Sequence, residues 1–171
     1  MTEPWLVVID PQRVFAAPDS PWGSPMFGAI VDPIRTLAAR HRTIVTRWVP
    51  AVGAARTGSW NAYFEAWPFA DRPPTDALFD LVPELADLAD DTVDATTFGK
   101  WRALESVTGP APELLLAGVA TDCCVISTAL AAADAGATVR VVAEACAGST
   151  PENHARALDV MGLYSPQITV V

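Results

Sequence analysis

Lysine is almost missing from this chain: of eleven basic residues among 171, ten are arginine and one, Lys100, is lysine. Histidine is nearly as scarce, with His41 and His154 alone. Positive charge is short overall, and a net charge of −9 excludes nucleic acid and anionic membrane surfaces as partners, since either would be repelled before contact. No apolar run approaches the roughly 20 residues that a membrane-spanning helix needs. Cysteine is sparse and odd in number, three in all. Two are neighbours and the third, Cys146, lies in another segment, which argues against a secreted disulfide framework. The first apolar strand follows only four residues, without the basic start and long apolar stretch of a secretory signal. Repeats and low-complexity tracts are absent as well. These absences predict a cytoplasmic protein whose partner is a small molecule.

What is present is apolar sequence in short, regular pieces. With 51% hydrophobic residues over 171, the chain can bury about two thirds of its unfolded surface around one core, so a single domain over 1–171 is expected. Strands are predicted at 5–9, 43–46, 91–95, 113–118, 138–142 and 167–171, with helical pattern between most of them. Asp32-Pro33 reads as an N-cap and first helical position, so a helix starts or restarts there. Thr121 and Asp122 read as N-cap residues of a helix that ends at Asp134, with Gly136 as its left-handed cap. A last helix over 151–161 carries Ala155, Leu158 and Met161 as one apolar stripe. Six such units imply an α/β fold, a three-layer α/β/α, Rossmann-like doubly wound arrangement of a parallel sheet covered on both faces. Ligands in such folds bind outside the carboxyl ends of the strands.

That edge collects the reactive residues. Residues 114–129, LLLAGVATDCCVISTA, run from an apolar strand through a small-residue turn to two adjacent cysteines at a helix start. A thiol there sits near unpaired backbone N–H groups and the positive end of the helix dipole, which favour thiolate. Buried cysteines are also simply small hydrophobes, and position alone leaves both readings open. Asp10 ends the strand of Val7, Val8 and Ile9; as a strand-end carboxylate it reads either as a reactive side chain at the sheet edge or as a helix cap or turn residue. Lys100 follows the third strand. Arginine stays protonated, whereas lysine exchanges protons and presents a compact ammonium, so a site beside a thiolate accepts the one and refuses the other.

Three blocks, VVIDPQ at 7–12, TTFGK at 96–100 and GVATDCCV at 118–125, resemble in order and spacing the signature blocks of the isochorismatase-like cysteine hydrolases. The resemblance covers nearly the whole chain. It implies a six-stranded parallel sheet of order 3-2-1-4-5-6 and hydrolysis of small amides or carbamoyl compounds. Its nucleophile precedes a valine, two residues after an aspartate, and so maps onto Cys124; Asp10 and Lys100 map onto the other triad positions. A cis peptide before Ala120 is also implied, with the N–H groups of Ala120 and Cys124 as an oxyanion hole. In the implied route Asp10 accepts the Cys124 proton, Lys100 stabilises the thiolate, and a thioester forms and is hydrolysed. Cys123 becomes the packing residue, because neighbouring helical residues point about 100° apart.

Departures from the pattern narrow the chemistry. Nicotinamidases of that family carry an Asp-x-His metal motif after the second strand, where this chain has Trp48 and Pro50. His41 and His154 read as capping or packing residues, so neither metal nor other cofactor is expected, and nicotinamide is a poor first substrate. The segment 48–74 holds Trp48, Trp60, Tyr63, Phe64, Trp67 and Phe69, and a loop of that length reads as a lid or binding wall. Its bland counterpart is a loop pinned by its aromatics to the body or to a second subunit. Trp48 adjoins the strand edge and is the expected wall residue. Phe15 matches an aromatic of the family pocket, and Gln12 and Arg13 are expected to orient polar groups. Oligomerisation is common in the family, so a homo-oligomer is expected. The alternatives are vinyl ether hydrolysis as in isochorismate, a thiol redox protein using Cys123 and Cys124, and a catalytically silent scaffold.

Overall fold

The computed structural model describes residues 3–171. Six parallel strands, β1 (Trp5–Ile9), β2 (Thr43–Trp48), β3 (Asp91–Ala95), β4 (Glu113–Val119), β5 (Thr138–Ala147) and β6 (Ile168–Val170), form one sheet in the order 3-2-1-4-5-6. Helices α1 (Arg13–Ala16), α2 (Phe27–Ala38), α3 (Trp60–Ala66), α4 (Trp101–Thr108), α5 (Ile126–Asp134) and α6 (Pro151–Gly162) surround it. The expected α/β sheet and its order are both present. Composition explains who sits where. The central strands β1 and β4 read WLVVI and ELLLAGV and are buried on both faces, as an unbroken apolar run demands. The edge strand β3 reads DTVDA and buries only Val93.

Four local expectations need correction. Helix α2 does not begin at Pro33 but runs through it from Phe27. Phe27, Ile30 and Ile34 form a buried stripe on this helix, and burying three such side chains at about 1.5–3 kcal/mol each offsets the roughly 3 kcal/mol of an interior proline. Strand β5 continues five residues past 142, to Ala147, after a register shift opposite Leu116 and Gly118, and carries Cys146 into the sheet. Thr121 and Asp122 cap nothing. The chain passes from Ala120 into one π turn, Thr121–Val125, before α5 begins. On α6, Ala155 is exposed and the inward face is His154, Ala157, Leu158 and Met161. Gly136 has the expected positive φ of 98° after α5.

Gly118 decides how close the two central strands can come. Its φ is +107°, and a Cβ there would lie 2.2 Å from the Ile9 carbonyl oxygen. Only glycine lets β4 press against the end of β1. That contact brings Asp10 alongside the turn that carries the cysteines.

Candidate active site

Each catalytic candidate is held by a neighbouring strand or helix. Asp10 leaves β1 with φ 45°, a left-handed conformation that aspartate tolerates better than most residues. The hydroxyl of Thr46, on β2, donates to Asp10 Oδ1 at 2.7 Å and accepts from Asp10 N–H at 3.1 Å. Lys100 ends the loop after β3. Its Nζ lies 2.8 Å from Asp10 Oδ2, and both side chains are wholly buried. The same ammonium donates to the carbonyls of Thr97 and Phe98, each at 2.8 Å.

The cysteine turn is tied to the lysine loop through α5. Lys100 N–H donates to Thr128 Oγ1 at 2.9 Å, and that hydroxyl donates to the Cys124 carbonyl at 2.7 Å. Gly99 allows this approach, since a Cβ there would lie 3.3 Å from the Ser127 carbonyl oxygen. The Val119–Ala120 peptide is cis, and the Ala120 carbonyl accepts from the N–H groups of both Cys123 and Val125. On the other side, Thr121 Oγ1 meets His154 Nδ1 at 2.8 Å, and Asp122 accepts from Ser149 N–H and Oγ–H at 2.7 and 2.6 Å. His154 thus packs and positions the turn.

The two thiols differ in place and in proton affinity. Cys124 is buried to 1% exposure, while Cys123 is partly open and lines a cavity of about 280 Å³. The Cys124 thiol is pushed well up by its hydrogen bond to Cys123, by burial and by Asp10, with Lys100 acting the other way. Cys123 moves down, because the same bond stabilises its thiolate. Both sulfurs feel Asp10 and Lys100, so all four groups share one buried nest.

Five aromatic rings wall the cavity: Phe15, Trp22, Tyr63, Trp67 and Phe98. Trp22 is their hub, stacked on Phe15 at 6.0 Å and edge-on to Trp67 at 5.8 Å and Phe98 at 6.2 Å. Burial and the two nearby thiols raise the Tyr63 phenol to about 12. Of the substrate-binding expectations, Phe15 reaches the cavity. Trp48 does not: it is fully buried one layer behind, stacked on Phe98 and edge-on to Trp22. Gln12 is wholly buried too. Its amide donates to the carbonyls of Trp48 and Phe79 and accepts from Trp48 N–H, so it clamps backbone instead of meeting a ligand. Arg13 is exposed at the start of α1. Cys123 packs against the core as expected, and the π turn also brings it to the cavity lining. Thr46, Thr128 and Trp22 were missed altogether; only the PWG turn at 21–23 hinted at the last.

The residues present do not fit a metal. Trp48 and Pro50, at the two sequence positions of the Asp-x-His pattern, are both buried and carry no ligand atom suited to a metal. Among the described residues no group of three His, Cys, Asp or Glu side chains could hold an ion.

The isochorismatase domain profile matches residues 4–170. The chain belongs to the isochorismatase family. It is accordingly an isochorismatase-like hydrolase, of a family that acts on small molecules. Among solved structures it is similar to a cysteine hydrolase from Pseudomonas syringae pv. phaseolicola, with a TM-score of 0.82 and 19% identity over 98% of this chain and 88% of that one. An isochorismatase family protein from Desulfovibrio vulgaris has a TM-score of 0.80 at 18% identity, over 100% and 94% of the two chains. A nicotinamidase from Bacillus subtilis has a TM-score of 0.74 at 20% identity, over 99% of each. At these identities the likeness is one of fold. No curated protein matches the sequence, and among the described residues no helix is long and apolar enough to cross a membrane.

Proposed function

We propose that this isochorismatase-family hydrolase cleaves the C–N bond of a small amide or carbamoyl compound without a metal, through a thioester on Cys124. The observation that carries this reading is the Asp10–Lys100 ion pair, 2.8 Å long and wholly buried beside the thiols. Burying two charges costs several kcal/mol per ion, an arrangement stability alone does not favour. It does suit proton transfer.

Asp10 takes the Cys124 proton, which the raised affinity of that thiol makes necessary at neutral pH. Sulfur attacks the amide carbonyl, and the oxyanion is met by the N–H groups of Ala120 and Cys124. Asp10 returns the proton to the leaving nitrogen as the C–N bond breaks, releasing ammonia or an amine. A water molecule, deprotonated by the same carboxylate, then cleaves the thioester to a carboxylic acid and the free thiol. Lys100 stabilises the thiolate and holds Asp10 in place.

One observation favours a second reading, in which Cys123 is the nucleophile: it lines the cavity and is the more acidic thiol. Ammonia release over a panel of carboxamides and carbamoyl compounds tests the reaction. Brief exposure to a turned-over amide followed by peptide mass mapping tests the nucleophile. An acyl increment on the Cys124 sulfur is expected, with activity lost in Cys124→Ala and retained in Cys123→Ala. The reverse pattern assigns the chemistry to Cys123, and loss of activity on chelation overturns the metal-free route.

A further inference from the structure

The cavity has an unusual balance of groups. Five of its eleven lining residues are aromatic, and none is arginine, lysine or histidine. The nearby ammonium of Lys100 is not part of the lining; it is ion-paired with Asp10 and donates to two backbone carbonyls. Asp122, on the lining, is the one carboxylate there. It accepts hydrogen bonds from Ser149 but has no cationic partner among the described residues. A substrate carboxylate would lose its hydration here, meet no positive group and face Asp122. A cation would gain the ring faces and that carboxylate together. A primary ammonium brings three protons, for which a wall of rings offers few acceptors besides Asp122; a dimethylated ammonium brings one and a trimethylated ammonium none.

We propose that the pocket selects small amides whose far end is a quaternary or otherwise methylated ammonium group. The amide-hydrolase assignment above is the basis for this choice of substrate. The cavity, about 280 Å³, matches a trimethylammonium group with a short acyl link, and a net charge of −9 raises the local concentration of cations.

Three compounds of similar size separate the possibilities: trimethylammonioacetamide, its neutral carbon counterpart 3,3-dimethylbutanamide, and the anion succinamate. Ammonia release and quenching of tryptophan fluorescence are read for each. The cation should exceed the neutral compound in kcat/KM, and in affinity, by about 2- to 30-fold, the span of one desolvated cation–aromatic contact. Succinamate should neither bind nor react. Trp22→Leu should shrink the ratio of cation to neutral compound. Equal or better use of the neutral compound, or turnover of succinamate, overturns this selectivity and leaves amide hydrolysis standing. Preferential binding of the cation without ammonia release supports the pocket assignment and removes the hydrolase assignment. Absence of binding by all three overturns the pocket assignment.

Discussion

The floor of the site and its wall are built in opposite ways. The floor is polar, buried and held by the sheet: Asp10 from β1, Thr46 from β2, Lys100 after β3 and the cysteine turn after β4, each tied to a neighbour by a hydrogen bond or ion pair. The wall is apolar and made of connections. Trp22 lies between α1 and α2, Tyr63 and Trp67 on or beside α3, and Phe98 in the loop before α4. A residue on the floor can therefore be changed only by stranding its partner, whereas wall rings overlap in function and share the load. Chemistry is thus expected to reside in the floor and selectivity in the wall.

The largest effect should come from splitting the buried pair. Asp10→Asn and Lys100→Met should each lower kcat by about a hundredfold to ten-thousandfold. Each should also cost about 3–5 kcal/mol in urea unfolding, because an unpaired charge or donor is left inside. The double variant should recover part of that stability and none of the activity. If the single variants unfold like the parent, the pair is not the keystone of the floor.

Next come the hydroxyls. Thr46→Val and Thr128→Val should each destabilise by about 1–3 kcal/mol, the cost of an abandoned buried partner. Thr46→Val should lower kcat more than it changes KM, since it frees the carboxylate that moves the proton. The wall should respond differently. Trp22→Phe should raise KM several-fold with kcat nearly preserved, and a fall confined to kcat would erase the distinction between floor and wall.

The smallest effect concerns pH. Burial holds the His154 imidazolium below its usual affinity, against a raising influence of Asp122. Between about pH 6.5 and its lower folded value the unfolded chain then binds more protons than the folded one, so the contribution of His154 is present above about pH 6.5 and is lost as pH falls from there through the folded value. His154→Asn should flatten this part of the stability profile. An unchanged slope would mean that the bond to Thr121 carries no pH dependence.

Much of the floor was legible in the chain. Strand-ending Asp10, the lone Lys100 and the cysteine pair stand out because chemistry requires specific side chains and little else competes for them. Six apolar runs with intervening helical pattern were enough for the sheet. Less visible were the partners: Thr46 and Thr128 are ordinary residues of a strand and a helix, and only pairing across 36 and 28 positions makes them part of the site. Trp48 shows the same limit from the other side. Its place at the end of β2 was correct, yet the packing of Phe15, Trp22, Phe64, Phe79 and Phe98 around it turned an expected pocket residue into core.

By itself the amino-acid sequence determined the α/β architecture, the strand ends that carry Asp10, Lys100 and Cys124, and the family. The architecture rests on periodicity and residue type, which are local properties; the family and the choice of Cys124 rest on the resemblance of three short blocks. The tertiary structure alone decided which thiol faces the cavity, because one π turn rotates Cys123 outward and Cys124 inward. It also decided that Trp22 instead of Trp48 forms the wall, since which ring reaches solvent depends on everything packed behind it.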